Sequence, residues 1–385
     1  MNMNLDHKLL HVFILIGFLT LSTGALLAQE KDKEVPERQV KPEAKQKFEE
    51  ATKILKESEG SLDLAKLEQI YKDAFDADNS FYEALYNIGC IYEQQGKFSE
   101  AAEYYNKALK INPQFANAIA KLGVLEMKKG NLSKAKEAFK QALTINRLNA
   151  IANNKMAEIL REEKKYAEAL NHARFALMED PDNIEAFNNL GAIFYDNGDY
   201  EFAQLILYKA LKINKNSPAT YNLMGLIELK LNNIKGAYDN FLKAYHSDPN
   251  FIEARLNLAA LTLNYSDFKT AQELYGGLIK DYPNNLQAKV GMAIALRGLE
   301  QYPDSEKVYE EILNKDPNNQ PAKYNLCILY QQYMDNVDKA LSYCEAYLKA
   351  ASANDPKLEE VQKRIKGLKQ MQEVMKQEET QKKEE

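Results

Sequence analysis

From Phe48 onward the chain repeats itself every 34 residues. Gly89, Gly123, Ala157, Gly191, Gly225, Ala259, Ala293 and Cys327 stand 34 apart without a slip. Ala101, Ala135, Ala169, Ala203, Ala237, Ala271 and Ser305 form a second column, and Ala108, Ala142, Ala176, Ala210 and Ala244 a third. Tyr105, Phe139, Phe241, Tyr275 and Tyr309 add an aromatic column, and Pro113, Pro181, Pro249, Pro283 and Pro317 a proline column. A period of this length forces an array in which each unit buries its apolar face only against its neighbours. It also removes the ordinary expectation of two or three globular domains for 385 residues.

Within one unit, Leu85, Ile88, Gly89 and Tyr92 recur at helical spacing. Gly96 breaks that helix and Phe98 packs into the corner. Ala101, Ala102, Tyr105, Ala108 and Leu109 then mark a second helix. Small residues at Gly89, Ala101 and Ala108 let the two backbones approach. Asn112-Pro113 ends the second helix, because the residue before proline is pushed out of the helical region. No strand pattern competes, so the chain reads as all-α.

These columns resemble the tetratricopeptide repeat, with a small residue at position 8, alanine at 20 and 27, an aromatic at 24 and proline at 32. The resemblance implies a right-handed α-solenoid of stacked helix-turn-helix repeats. Eight full repeats, spanning 82–352, start at Tyr82, Ala116, Ala150, Ile184, Pro218, Ile252, Leu286 and Gln320. A degenerate unit at 48–81 keeps Ile54, Tyr71 and Ala74 in phase but lacks the small residue, which suits an N-terminal cap. In the eighth repeat Ala340 falls one residue late, so an insertion sits near Asp335. Leu358, Val361, Ile365, Leu368, Met371 and Met375 then predict a capping helix over 353–375, followed by a disordered charged tail at 376–385.

At the N-terminus, Lys8 precedes an apolar run from Leu9 to Leu19, and Gly24-Ala25-Leu26-Leu27-Ala28 follows. The segment 1–28 reads as a secretory signal peptide or as an uncleaved N-terminal anchor, since its apolar stretch is just long enough to span. Either reading exports the chain to the periplasm or the envelope, with membrane association through this segment. The first cysteine is Cys90, so no lipid attachment point lies near a cleavage site. Residues 29–47 are polar and aperiodic and read as a flexible linker. A net charge of −6 without a Lys/Arg block argues against nucleic acid.

No glycine-rich phosphate loop, nucleophile with an adjacent base, or carboxylate pair in an apolar setting is present. Cys90, Cys327 and Cys344, and the scattered His7, His11, His172 and His246, lack metal-ligand spacing. The chain is therefore expected to be no enzyme and to need no cofactor or metal. What remains is a binding surface. The resemblance implies that positions 2, 5, 9 and 12 of each first helix line a concave groove for proteins or extended peptides. Here those positions supply Asn154, Asn188, Asn222, Tyr195, Leu226, Leu229, Leu256, Leu263, Val290 and Ile294. An asparagine ladder can pair with a peptide main chain and an apolar run can take its side chains. Alternatively, apolar residues at position 9 are inter-repeat core. A clamp for an acidic C-terminus would need Lys at position 5 and Asn at position 9, and neither occurs. The resemblance also sets Cys327 and Cys344 facing each other across the last hairpin, a candidate disulfide. An exported scaffold for other proteins is the leading reading. A dedicated peripheral subunit of an envelope machine (pilus, secretion, motility or polysaccharide export) is the alternative. Leu296-Arg297-Gly298-Leu299 and Tyr330-Gln331-Gln332-Tyr333 are also similar to exported repeat proteins of the myxobacterial gliding-motility type, which are typically lipid-anchored.

Overall fold

The computed structural model describes residues 38–57, 62–352 and 354–384. The expected signal or anchor segment at 1–28 lies outside them. The described residues form helices only, paired and stacked as in an α-solenoid. The chain divides into two compact units, Met1–Ile145 and Asn146–Glu385.

The first unit holds α1 (Pro42–Glu57), α2 (Leu64–Ala77), α3 (Tyr82–Gln94), α4 (Phe98–Ile111), α5 (Ala116–Lys128) and α6 (Leu132–Ile145). Helix α1 begins at Pro42, so the expected linker at 29–47 gives up its last six residues to helix. The reason is packing: Ala44 and Ala51 are fully buried, in one cluster with Leu67, Ile70, Tyr71 and Ala74 of α2. The residues just before α1 are tied down as well. Arg38 donates to the Ser80 carbonyl at 2.7 Å and to Glu83 at 2.6 Å. The Lys41 amide donates to Asp78 at 2.9 Å. That bond, with those from Ser80, pulls the Asp78 carboxyl down to about 2.

The second unit holds the paired helices α7 (Ala150–Glu162) and α8 (Tyr166–Glu179), α9 (Ile184–Asp196) and α10 (Tyr200–Ile213), α11 (Pro218–Lys230) and α12 (Ile234–Ser247). Then come α13 (Ile252–Asn264) and α14 (Phe268–Asp281), α15 (Leu286–Gly298) and α16 (Tyr302–Lys315), α17 (Gln320–Gln332) and α18 (Val337–Ala350), closed by α19 (Leu358–Glu384). Val361 and Leu368 of α19 are fully buried in one cluster with Tyr330 and Tyr347, so this helix caps the last hairpin. It also runs on through Glu384, across the stretch expected as a disordered tail. Residues 376–384 contain neither glycine nor proline and consist mostly of Lys, Glu and Gln, which propagate helix well.

Local chemistry sets the helix boundaries. Asn149, Asn183, Asn285 and Asn319 occupy position 34 and accept the amide of the third residue of the next helix, at 2.8–3.1 Å. Position 15, between the two helices, has positive φ in seven successive repeats: Gly96, Gly130, Lys164, Gly198, Asn232, Ser266 and Glu300. In the eighth, Asp335 takes that role one residue late, where the insertion sits.

Positions 8 and 24 hold each hairpin together. A Cβ on Gly89, Gly123 or Gly225 would come within 2.5–2.7 Å of Tyr105, Phe139 or Phe241. The alanines at positions 20 and 27 are fully buried throughout. In the eighth repeat Cys327 and Cys344 take the two facing places and are joined by a disulfide with Cα atoms 5.1 Å apart.

Candidate partner-binding face

In the second unit the first helices of successive repeats touch one another directly: α7 with α9, then α11, α13, α15 and α17 in turn. Second helices make no contact of that extent with each other. The first helices are therefore the more closely spaced row, and they share one surface.

The apolar residues expected there lie half-buried and pack by one edge. Leu226 and Leu229 rest on Phe241, Leu258 and Leu261. Leu256 and Leu263 rest on Tyr275 and Leu278. Val290 and Ile294 belong to the cluster of Tyr309 and Leu326. Each of these side chains thus packs by one edge against the core and leaves the rest of its surface open. Around Leu229 this surface sinks into a depression of about 400 Å³ lined also by Asn257, Ala260, Asn264 and Tyr265. Tyr265 is 58% exposed. It sits one residue before the left-handed turn, outside the positions used to read the groove, which is why sequence reasoning passed over it.

The asparagines behave differently from the open ladder expected. Asn154 is 2% exposed. Its Nδ2 donates to Asn183 Oδ1 at 3.0 Å, and its main-chain carbonyl accepts from Asn189 at 3.0 Å. Asn222 is buried and its Oδ1 accepts from Asn257 Nδ2 at 2.8 Å. Asn188 is half-buried and accepts from Thr220 at 2.7 Å. These amides join one repeat to the next, and Asn154 and Asn222 are corrected from ligand contacts to structural ties. Tyr195 is half-buried, its ring 5.7 Å from that of Tyr200. Beside it, Arg161 and Asp196 bridge two first helices at 2.8 Å.

Family models described as tetratricopeptide repeat match residues 82–115, 120–184, and 160–227 with 263–322. Together they cover just over half of the chain. The chain belongs to the tetratricopeptide repeat family. The solved hetero-tetramer Cut9–Hcn1 of the APC/C shares the fold, with a TM-score of 0.57 over 92% of this chain and 82% of that one at 14% identity. PilF of Pseudomonas aeruginosa is 25% identical over 55% of this chain and 96% of its own, with a TM-score of 0.44. A tetratricopeptide repeat protein of Parabacteroides merdae gives a TM-score of 0.45 at 18% identity, over 66% and 98%. Comparison with curated proteins finds no match. No helix of the described residues is long and apolar enough to cross a membrane, and no group of metal-ligating side chains occurs among them.

Proposed function

We propose that this tetratricopeptide repeat chain is an exported, non-enzymatic scaffold that holds partner proteins by an extended segment laid along its C-terminal first-helix face. One observation carries the reading. Leu226, Leu229, Leu256, Leu263, Val290 and Ile294 place half-open apolar side chains on three successive first helices. Apolar surface left open in this way supports an interaction site. An extended segment would seat alternate side chains on these residues and in the depression beside Tyr265. Export is supported by the apolar segment ahead of Ala28 and by the Cys327–Cys344 disulfide, a bond that persists in oxidising compartments. The repeated columns are accounted for by packing, which leaves no residue pattern that calls for catalysis.

The test is site-specific photo-crosslinking in the native host. A photoreactive residue at 229, 260 or 265 should yield crosslinked partner proteins, whereas one at Lys209 or Lys243, on second helices, should not. Crosslinks arising equally from 209 and 243 would remove the groove. Mass spectrometry of the products measures stoichiometry: many substoichiometric partners fit a scaffold, and one stoichiometric partner fits a dedicated machine subunit.

A further inference from the structure

The first and seventh repeats differ at one corner of the first-helix face. In the first, the Tyr105 hydroxyl at position 24 donates to Glu93 Oε2 at position 12, at 2.9 Å. Lys121 Nζ, from the next repeat, donates to the same oxygen at 3.1 Å. One internal carboxylate therefore gathers two donors. In the seventh repeat position 24 is again tyrosine, Tyr309, but position 12 is Arg297.

This corner now holds donors without an acceptor. The Tyr309 hydroxyl and Arg297 Nη1 are both buried and have no hydrogen-bond partner. Tyr309 is fully buried, and burial keeps its hydroxyl protonated. Positions 12 and 24 meet in the first repeat, so the same register brings the Arg297 guanidinium to the Tyr309 corner here. Arg161, Arg255 and Arg364 of this unit pair with carboxylates: Asp196 at 2.8 Å, Asp281 at 2.7 Å and Glu360 at 2.8 Å. Arg297 meets no carboxylate among the described residues. It lies 5.5 Å over the ring of Tyr333, and the residue as a whole is only partly buried. A buried guanidinium nitrogen and a buried hydroxyl without acceptors cost free energy unless a ligand completes them.

We propose that the Arg297–Tyr309 corner receives an aspartate or glutamate side chain of the bound segment, with flanking apolar residues seated on Val290 and Ile294. This rests on the groove reading. A carboxylate suits the planar guanidinium fork and supplies the acceptor that Glu93 provides internally in the first repeat. The eighth repeat and α19 continue beyond the corner, so a segment lying along the face passes through it, which favours a side chain over a chain terminus.

The experiment is a positional-scanning library of acetylated, amidated nonapeptides captured on the immobilised full chain. The expected result is an enrichment of Asp and Glu of about tenfold at one position, flanked by apolar preferences. In Arg297→Gln the acidic enrichment should vanish while the apolar preferences persist. Tyr309→Phe should lower it partially, and circular dichroism should confirm intact helices in both variants. Peptides captured without acidic preference, or a preference that survives in Arg297→Gln, overturn the inference and leave the groove standing. Capture of no peptide at all overturns the groove reading and this inference with it.

Discussion

The repeat at 82–115 and the repeats at 286–352 share one backbone plan and complete it with different chemistry. In the first, Gly89 lies against the Tyr105 ring, and the tyrosine hydroxyl is satisfied by Glu93. In the seventh, Ala293 and Tyr309 occupy the same positions, but Arg297 leaves the hydroxyl without a partner. In the eighth, the ring is gone and a covalent bond between Cys327 and Cys344 fills the contact. A repeat position fixes where a side chain points, and the residue placed there decides whether the contact is closed internally, left open, or bonded. Conserving the plan therefore leaves freedom to build a specific surface at one end of an array.

The largest expected effect concerns the bonded hairpin. Reducing the Cys327–Cys344 bridge, which closes a loop of 17 residues, should weaken the local stability of α17 and α18 by about 3 kcal/mol on chain-entropy grounds. Amide exchange in α3 and α4 should stay unchanged; a uniform loss of protection across the chain would contradict this. Thiol counting on denatured, unreduced protein should find one free thiol, at Cys90, and three would remove the bridge.

Next comes the internally closed corner. Glu93→Ala leaves the buried Tyr105 hydroxyl with only Cys90 Sγ at 3.5 Å, and strands Lys121. It should destabilise the first unit by about 1–3 kcal/mol in chemical denaturation. A cost near zero would mean that this carboxylate does not hold the corner closed. The reciprocal change sharpens the comparison. Arg297→Glu gives Tyr309 the acceptor it lacks and should stabilise the second unit by about 1 kcal/mol while abolishing acidic-peptide preference. Destabilisation there would show that the two corners are not equivalent.

The smallest effect tests the turn common to both regions. Gly96 and Glu300 hold the same left-handed conformation, at φ 74° and 62°. Glu300→Gly should raise stability by about 0.5–1 kcal/mol, because the side chain strains that region, and Gly96→Ala should lower it by about 1 kcal/mol. Thermal unfolding with the same sign for both variants would contradict a shared turn geometry.

The resemblance to the tetratricopeptide repeat implied the facing of positions 8 and 24 and the first-helix face as the place to look for a ligand, while the sequence by itself determined the period and the helix pairs. These last two follow from local rules repeated eight times, so each repeat corroborates the others. Only the tertiary structure showed that Asn154 Nδ2 and Asn222 Oδ1 are bonded within the array. Their partners lie 29 and 35 residues away: Asn183 at the boundary where it caps the next first helix, and Asn257 in the next repeat. It also showed that Lys164, Asn232, Ser266 and Glu300 adopt a glycine-like turn, because helix pairing on both sides imposes φ regardless of the residue between. Pro42 joins α1 because Ala44 and Ala51 find an apolar wall in α2. The unpartnered corner at Arg297 and Tyr309 was equally hidden. Whether a polar group faces a neighbour or a ligand depends on which side chains the fold brings to it, and that is a property of packing between repeats rather than of the order within one.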